Sequence, residues 1–122
     1  MIRGLDYIVL FCKDTERSKE WYTNAGFQYS HGFDGMHWFH FGSGLVMLHP
    51  ATEPKAGLTE VHAAVEDVNK LFAFTKENGL TPIDHQNGNQ PITEPVTRPW
   101  GDTQFELEDY DGHRWAFTQR GE

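Results

Sequence analysis

Leu5–Phe27, LDYIVLFCKDTERSKEWYTNAGF, and Leu58–Leu80, LTEVHAAVEDVNKLFAFTKENGL, decide the fold when one is set above the other without a gap. Leu5 then meets Leu58, Asp14 meets Asp67 and Gly26 meets Gly79, each pair 53 residues apart. The match is one of pattern, not of identity. Each segment opens with an apolar or alternating run suited to a strand and reaches an Asp placed to cap a helix. About three helical turns follow, ending at a glycine able to take a left-handed conformation. The chain therefore carries a βα unit twice. Trp21, Tyr22 and Ala25, like Leu71, Phe72 and Phe74, recur at helical-face spacing, so these side chains are expected to fill a core.

Three short β-type runs follow the first unit, FQYSHGF, HWFHF and LVMLHP, broken at Asp34-Gly35 and at Gly42-Ser43-Gly44. After the second unit come LTPID, a polar stretch HQNGNQPITEPVTRP, then TQFELED and HRWAFTQ. The reading is βαβββ twice, an α+β fold, with module one over about 1–52, module two over about 57–120 and a linker at Glu53–Gly57. The second module carries the longer loop, of the kind that rims a binding site. Asp111-Gly112 reads as a two-residue hairpin turn.

At 122 residues and 14.0 kDa the chain suits a single domain. Its net charge of −8 opposes binding to nucleic acid or to an anionic membrane, and would attract a cationic small molecule. One cysteine, Cys12, excludes an internal disulfide, and no long apolar or leader-like segment is present, so a reducing cytoplasm is the expected location. No G-x-S-x-G elbow, phosphate-cradling glycine loop or C-x-x-C pair occurs.

The paired βαβββ pattern, with PWG at Pro99–Gly101, FELEDYDGH at Phe105–His113 and WAF at Trp115–Phe117, resembles the vicinal oxygen chelate superfamily. This is the glyoxalase, bleomycin-resistance and ring-cleaving dioxygenase group, and the ending is most like the bleomycin-resistance-type branch. The resemblance implies sheets curled around a cavity with helices outside, and a homodimer. It also implies metal ligands at positions that here hold Tyr7, Met47, Glu60 and Ala116. A thioether, a methyl and a phenol do not complete a site that needs about three N or O donors. The expectation is therefore no metal cofactor. The alternative is a displaced divalent site built from Glu60, His62 and His49, with His40 as a further candidate.

Strand alternation sorts the rest. If Val46, Leu48, Phe39, Phe41, Phe105 and Leu107 pack against helices, the cavity receives Tyr7 and Val9, Trp38 and His40, and Met47 and His49. From the second module it receives Glu60, His62, Gln104, Glu106, Arg114 and Ala116. Trp100 would stand near the mouth. A one-residue slip in HWFHF would exchange Trp38 and His40 for their neighbours. Such a lining describes a small-molecule pocket in which Glu60 and Glu106 pair with a cation and Trp38 or Trp100 stacks on a flat ring. The leading functional expectation is metal-independent capture of an amphipathic, cationic or aromatic small molecule, with no bond made or broken. The alternative is a metal-dependent glyoxalase- or dioxygenase-type enzyme using Glu60, His62 and a nearby histidine.

Overall fold

The computed structural model describes residues 1–121. Strand β1 (Tyr7–Cys12) leads into helix α1 (Thr15–Asn24), then into β2 (Tyr29–Phe33), β3 (Met36–Phe41) and β4 (Gly44–Pro50). These form a four-stranded sheet in the order β1-β4-β3-β2, with β1 and β4 parallel and the others antiparallel. Strand β5 (Glu60–Ala64) and helix α2 (Val68–Glu77) begin the second repeat. Short strands β6 (Ile83–Asp84), β7 (Gln90–Pro91) and β8 (Val96–Thr97) precede β9 (Thr103–Glu108) and β10 (Arg114–Gln119). The second sheet runs β5-β10-β9-β6-β7, with β8 on the edge of β9, and β5 and β10 are parallel.

The repeat extends to backbone detail. Asp14 and Asp67 cap the two helices with φ of −135° and −131°, and each side chain accepts from a backbone N–H three residues on, Arg17 and Lys70, at 3.1 Å. A carboxylate there satisfies an otherwise orphaned donor and meets the positive end of the helix. Both helices end at a glycine with positive φ, Gly26 and Gly79. The Asp34-Gly35 turn joins Phe33 to Met36 with both central residues at positive φ, 51° and 81°, the twist a two-residue hairpin requires.

The loop between β9 and β10 differs from the two-residue turn expected at Asp111-Gly112. The ladder closes at Glu108 and Arg114, leaving the five residues 109–113 outside it. Asp109 organises them: its carboxylate accepts from the backbone N–H groups of Asp111 at 2.9 Å and His113 at 2.8 Å. The side chain adds to two backbone bonds, from the Asp109 N–H to the His113 carbonyl at 3.0 Å and from the Gly112 N–H to the Asp109 carbonyl at 3.1 Å, and only Gly112 adopts positive φ there.

One apolar core joins both repeats. Leu10, Phe39, Val46 and Leu48 from the first sheet and Phe105, Leu107, Trp115 and Phe117 from the second are buried in one cluster with Trp21, Tyr22 and Phe72 of the helices. Trp115 carries the seam. Its ring lies 4.9 Å from that of Phe27 and 5.7 Å from that of Phe41, and its indole N–H donates to the Tyr22 hydroxyl at 3.0 Å. Burial of Phe39 settles the register of HWFHF: Phe39 points to the helices, and Trp38 and His40 point to the opposite face. The two repeats therefore meet through their helix-facing sides. Among the described residues, no hydrogen bond or ion pair links the other face of the first sheet to the other face of the second.

Candidate functional site

Those other faces carry the side chains with chemical interest. On the first sheet the strand register sets Val9 beside Met47 and Met47 beside Trp38, while Tyr7 pairs with Leu45 and Leu45 with His40. Trp38 stacks on His31 with ring centroids 4.6 Å apart and planes 8° from parallel. Phe11 tilts against His49 at 5.4 Å. Tyr7, Val9 and Phe11 are 44, 37 and 48% exposed, a large apolar strip for one strand to leave in water.

The second sheet offers carboxylates and imidazoles instead. Glu60 receives His62 Nε2 at 3.0 Å on one oxygen and His85 Nδ1 at 2.8 Å on the other, and Arg114 stands 3.6 Å away. Pairing Glu60 with Arg114, and His62 with Ala116, across the parallel β5–β10 ladder is what gathers this group. His85 is delivered by the short 3₁₀ helix His85–Asn87, whose start is capped by Asp84 accepting from the Gln86 N–H at 2.9 Å.

Deeper on the same face, Arg98 bridges two buried carboxylates. Its Nη2 donates to Asp84 at 2.8 Å and to Glu106 at 3.0 Å, and Gln104 also donates to Glu106, at 3.3 Å. The long second-module loop is thereby pinned against the sheet. The Arg98 bonds hold the Asp84 carboxyl below its usual value. Burial pushes Glu106 up, against the pull of Arg98 and His85. One guanidinium cannot fully compensate two desolvated carboxylates, and the geometry gives Asp84 the better share.

Because the folded protein holds the Glu106 proton to higher pH than the unfolded chain, this group's contribution to stability falls as pH rises from about 4.5 through its folded value. Asp84 acts oppositely: its contribution is present above its usual 3.8 and is lost as pH falls through its lowered folded value. We therefore expect wild type to gain stability relative to Glu106→Gln when urea denaturation is moved from about pH 7 to about pH 5. A flat or reversed difference would show that the Glu106 carboxylate is fully compensated.

The expected site residues separate into groups. Glu60, His62 and Arg114 come together, and Glu106 lies buried behind them. Tyr7, Trp38 and Met47 share the first sheet with His49, whose Nδ1 faces its neighbour Pro50 carbonyl at 2.8 Å. His40 borders a cleft of about 600 Å³ together with His62, Phe41 and Phe117. Trp100 is 62% exposed in the loop before β9. Glu60 and His62 are therefore neighbours, while His49 belongs to the other sheet. Tyr7, Met47, Glu60 and Ala116 supply a phenol, a thioether, one carboxylate already bonded to imidazoles, and a methyl. That donor set does not fit a catalytic divalent ion.

Two residues of the cluster, His85 and Arg98, were not legible in the sequence. Both lie in the polar loop, and their partners are 25 and 8 residues away. The one available signal was a buried-strand glutamate, Glu106, with no basic residue on its own strand.

Residues 4–117 match the Glyoxalase/Bleomycin resistance protein/Dioxygenase superfamily, and the chain belongs to that family. The fold is shared with a bleomycin resistance determinant encoded on the transposon Tn5, with a TM-score of 0.72 at 18% identity over 98% of each chain. It is shared with a lactoylglutathione lyase from Agrobacterium tumefaciens, with a TM-score of 0.72 at 12% identity over 98% of this chain and 95% of that one. A glyoxalase/bleomycin resistance protein/dioxygenase from Nocardioides aligns at 0.74 and 16% identity over 100% of this chain and 86% of the other. No curated protein matches the chain in sequence. No helix among the described residues is long and apolar enough to cross a membrane.

Proposed function

We propose that this protein captures an amphipathic, cationic or aromatic small molecule, without a metal ion and without chemical turnover, in a pocket shared between two copies of the chain. The observation that carries this reading is the division of the site. The first sheet presents an uncovered apolar strip, Tyr7, Val9 and Phe11, beside a half-buried Trp38 with Met47 buried between them, and the second presents the Glu60 cluster. Within one chain the two faces lie side by side, Val9 and Phe11 sharing a groove with Arg114 and His40 a cleft with His62, while the repeats are joined through their helix-facing sides. A symmetric pair would cover both apolar strips and set each against a partner's carboxylate cluster.

The division of labour is physical. Apolar walls supply binding free energy by removing ring surface from water. Trp38 supplies a stacking face, and Glu60, exchanging His62 or Arg114 for a ligand cation, supplies charge selection. The net charge of −8 raises the local concentration of cations. The bleomycin resistance determinant, with the same fold, gives the same direction.

A panel of cationic heteroaromatic compounds, with neutral and anionic analogues of matched size, tests this by melting shift. We expect saturable stabilisation by the cationic members only, strong reduction in Trp38→Ala, and recovery of the compound chemically unchanged. Conversion of any panel member, abolished by Glu60→Gln, would replace capture with catalysis. Absence of any shift across the panel would leave the pocket without a ligand of this class and overturn the reading.

A further inference from the structure

Cys12 closes β1 at the seam between the repeats, where the β9–β10 loop of the second folds onto α1 of the first. Its sulfur, a carboxylate oxygen of Asp111 and a ring nitrogen of His113 lie within 4.8 Å of one another, and among the described residues no other three such side chains converge in this way. Asp111 and His113 share one loop and meet Cys12 from the other end of the chain: Asp111 accepts from the backbone N–H of Lys13 at 3.1 Å and from the Ser18 hydroxyl at 3.4 Å.

The imidazole is oriented by an outer partner. His113 Nδ1 lies 2.7 Å from Asp109, which also accepts from the Tyr22 hydroxyl at 2.6 Å. A carboxylate holding one imidazole nitrogen fixes the tautomer and raises the basicity of the other, an arrangement recurrent behind metal-bound histidines. Asp109 is fully buried and its ion pair is with His113, while Asp111 is half-buried and makes no ion pair among the described residues.

We propose that Cys12, Asp111 and His113 form a structural site for one zinc-class divalent cation that fastens the second repeat to the first. One sulfur, one oxygen and one nitrogen donor suit zinc or cobalt and are a poor set for magnesium or calcium. Bonds of about 2.0–2.3 Å in a tetrahedron require ligand atoms about 3.3–3.8 Å apart, so binding draws the three groups slightly closer. The ion enters from the cleft bordered by Lys13, Arg17, Pro50, Tyr110 and Asp111. Cys12 is fully buried and Asp111 half-buried, so the three side chains hold the ion from the protein side and leave its fourth position to water from the cleft.

Titrating the metal-free full chain with cobalt(II) tests the site. The protein has one cysteine, so any thiolate-to-cobalt charge-transfer absorption reports Cys12 alone. We expect that band, with tetrahedral d–d absorption, to saturate at one equivalent, to be displaced by zinc, to release a proton, and to raise the melting temperature. Cys12→Ser should abolish the band, and His113→Gln should weaken binding by at least about 100-fold, more than losing an outer partner costs. Asp111→Asn, at a half-buried surface position, should weaken it in a chain that still folds, while Glu60→Gln should leave the cobalt spectrum unchanged. No charge-transfer band at one equivalent, or a spectrum lost in Glu60→Gln and kept in Asp111→Asn, would overturn the proposal. Capture of a small molecule by the open faces stands or falls separately.

Discussion

Replacing Arg98 with Met is expected to destabilise the protein by roughly 3–5 kcal/mol, the range seen when one partner of a buried ionic group is removed. For a chain of this size that corresponds to a melting temperature lower by roughly 10–20 °C. The reason lies in what is left behind. The Arg98 side chain is 6% exposed, and it is the cation bonded to both Asp84 and Glu106, whose side chains are 10% and 2% exposed. Met preserves much of the volume but strands two carboxylates in a low-dielectric setting. Glu106→Gln added to Arg98→Met should recover part of the loss, because one stranded charge is then neutral. A loss under about 1 kcal/mol in Arg98→Met, typical of an exposed ion pair, would show that the bridge is solvated.

The second large effect is at Asp109. Its carboxylate accepts four hydrogen bonds, from Tyr22 Oη, His113 Nδ1 and the backbone N–H groups of Asp111 and His113. Tyr22 in turn accepts from the Trp115 indole, so one side chain ties the β9–β10 loop, α1 and the seam of the core together. Burial, aided by the Asp109 charge, pushes the Tyr22 phenol well above its ordinary value, so it remains a donor at all working pH. Asp109→Ala leaves several buried donors unpaired, and a cost of roughly 3–5 kcal/mol by chemical denaturation is expected. Asp109→Asn, which keeps an acceptor oxygen, should cost clearly less. Equal losses in the two variants would mean that charge, not hydrogen-bond satisfaction, is what the loop requires.

The parts of the fold that sequence reveals are those written in local patterns. Asp14 with Gly26 and Asp67 with Gly79 mark both helices because capping and left-handed termination are decided by single residues. Asp34-Gly35 is legible for the same reason. HWFHF was ambiguous because aromatic residues occupy both faces, and only the burial of Phe39 against α1 chooses between registers. At 109–113 the dipeptide Asp111-Gly112 suggested a tight turn, but the longer-range reach of the Asp109 carboxylate imposed a five-residue loop. The candidate site divides along the same line. Alternation identified Glu60 and Glu106 as inward-facing, yet it could not show that His85 and Arg98, from an irregular loop, already occupy them. Pairing between a loop and a strand leaves no periodic trace.

The stranded atoms around Arg98 make physical sense in that light. Arg98 Nε, His85 Nε2 and one oxygen of Glu106 are buried without a protein partner. Buried polar groups of this kind are ordinarily satisfied by internal water.

The central claim, a pocket built from the first sheet of one copy and the second sheet of another, is tested most directly by mixing two inactive variants. Trp38→Ala spoils the first-sheet face and Glu60→Gln the second-sheet face, and each alone should not bind the cationic panel compound that gives wild type its largest melting shift. When the two variants are refolded together in equal amounts, half of the dimers carry one chain of each kind. In such a dimer one of the two shared sites has both faces intact. Calorimetric titration should then recover about a quarter of the wild-type binding capacity at wild-type affinity. No recovered capacity would place both faces of every site within one chain and contradict the account.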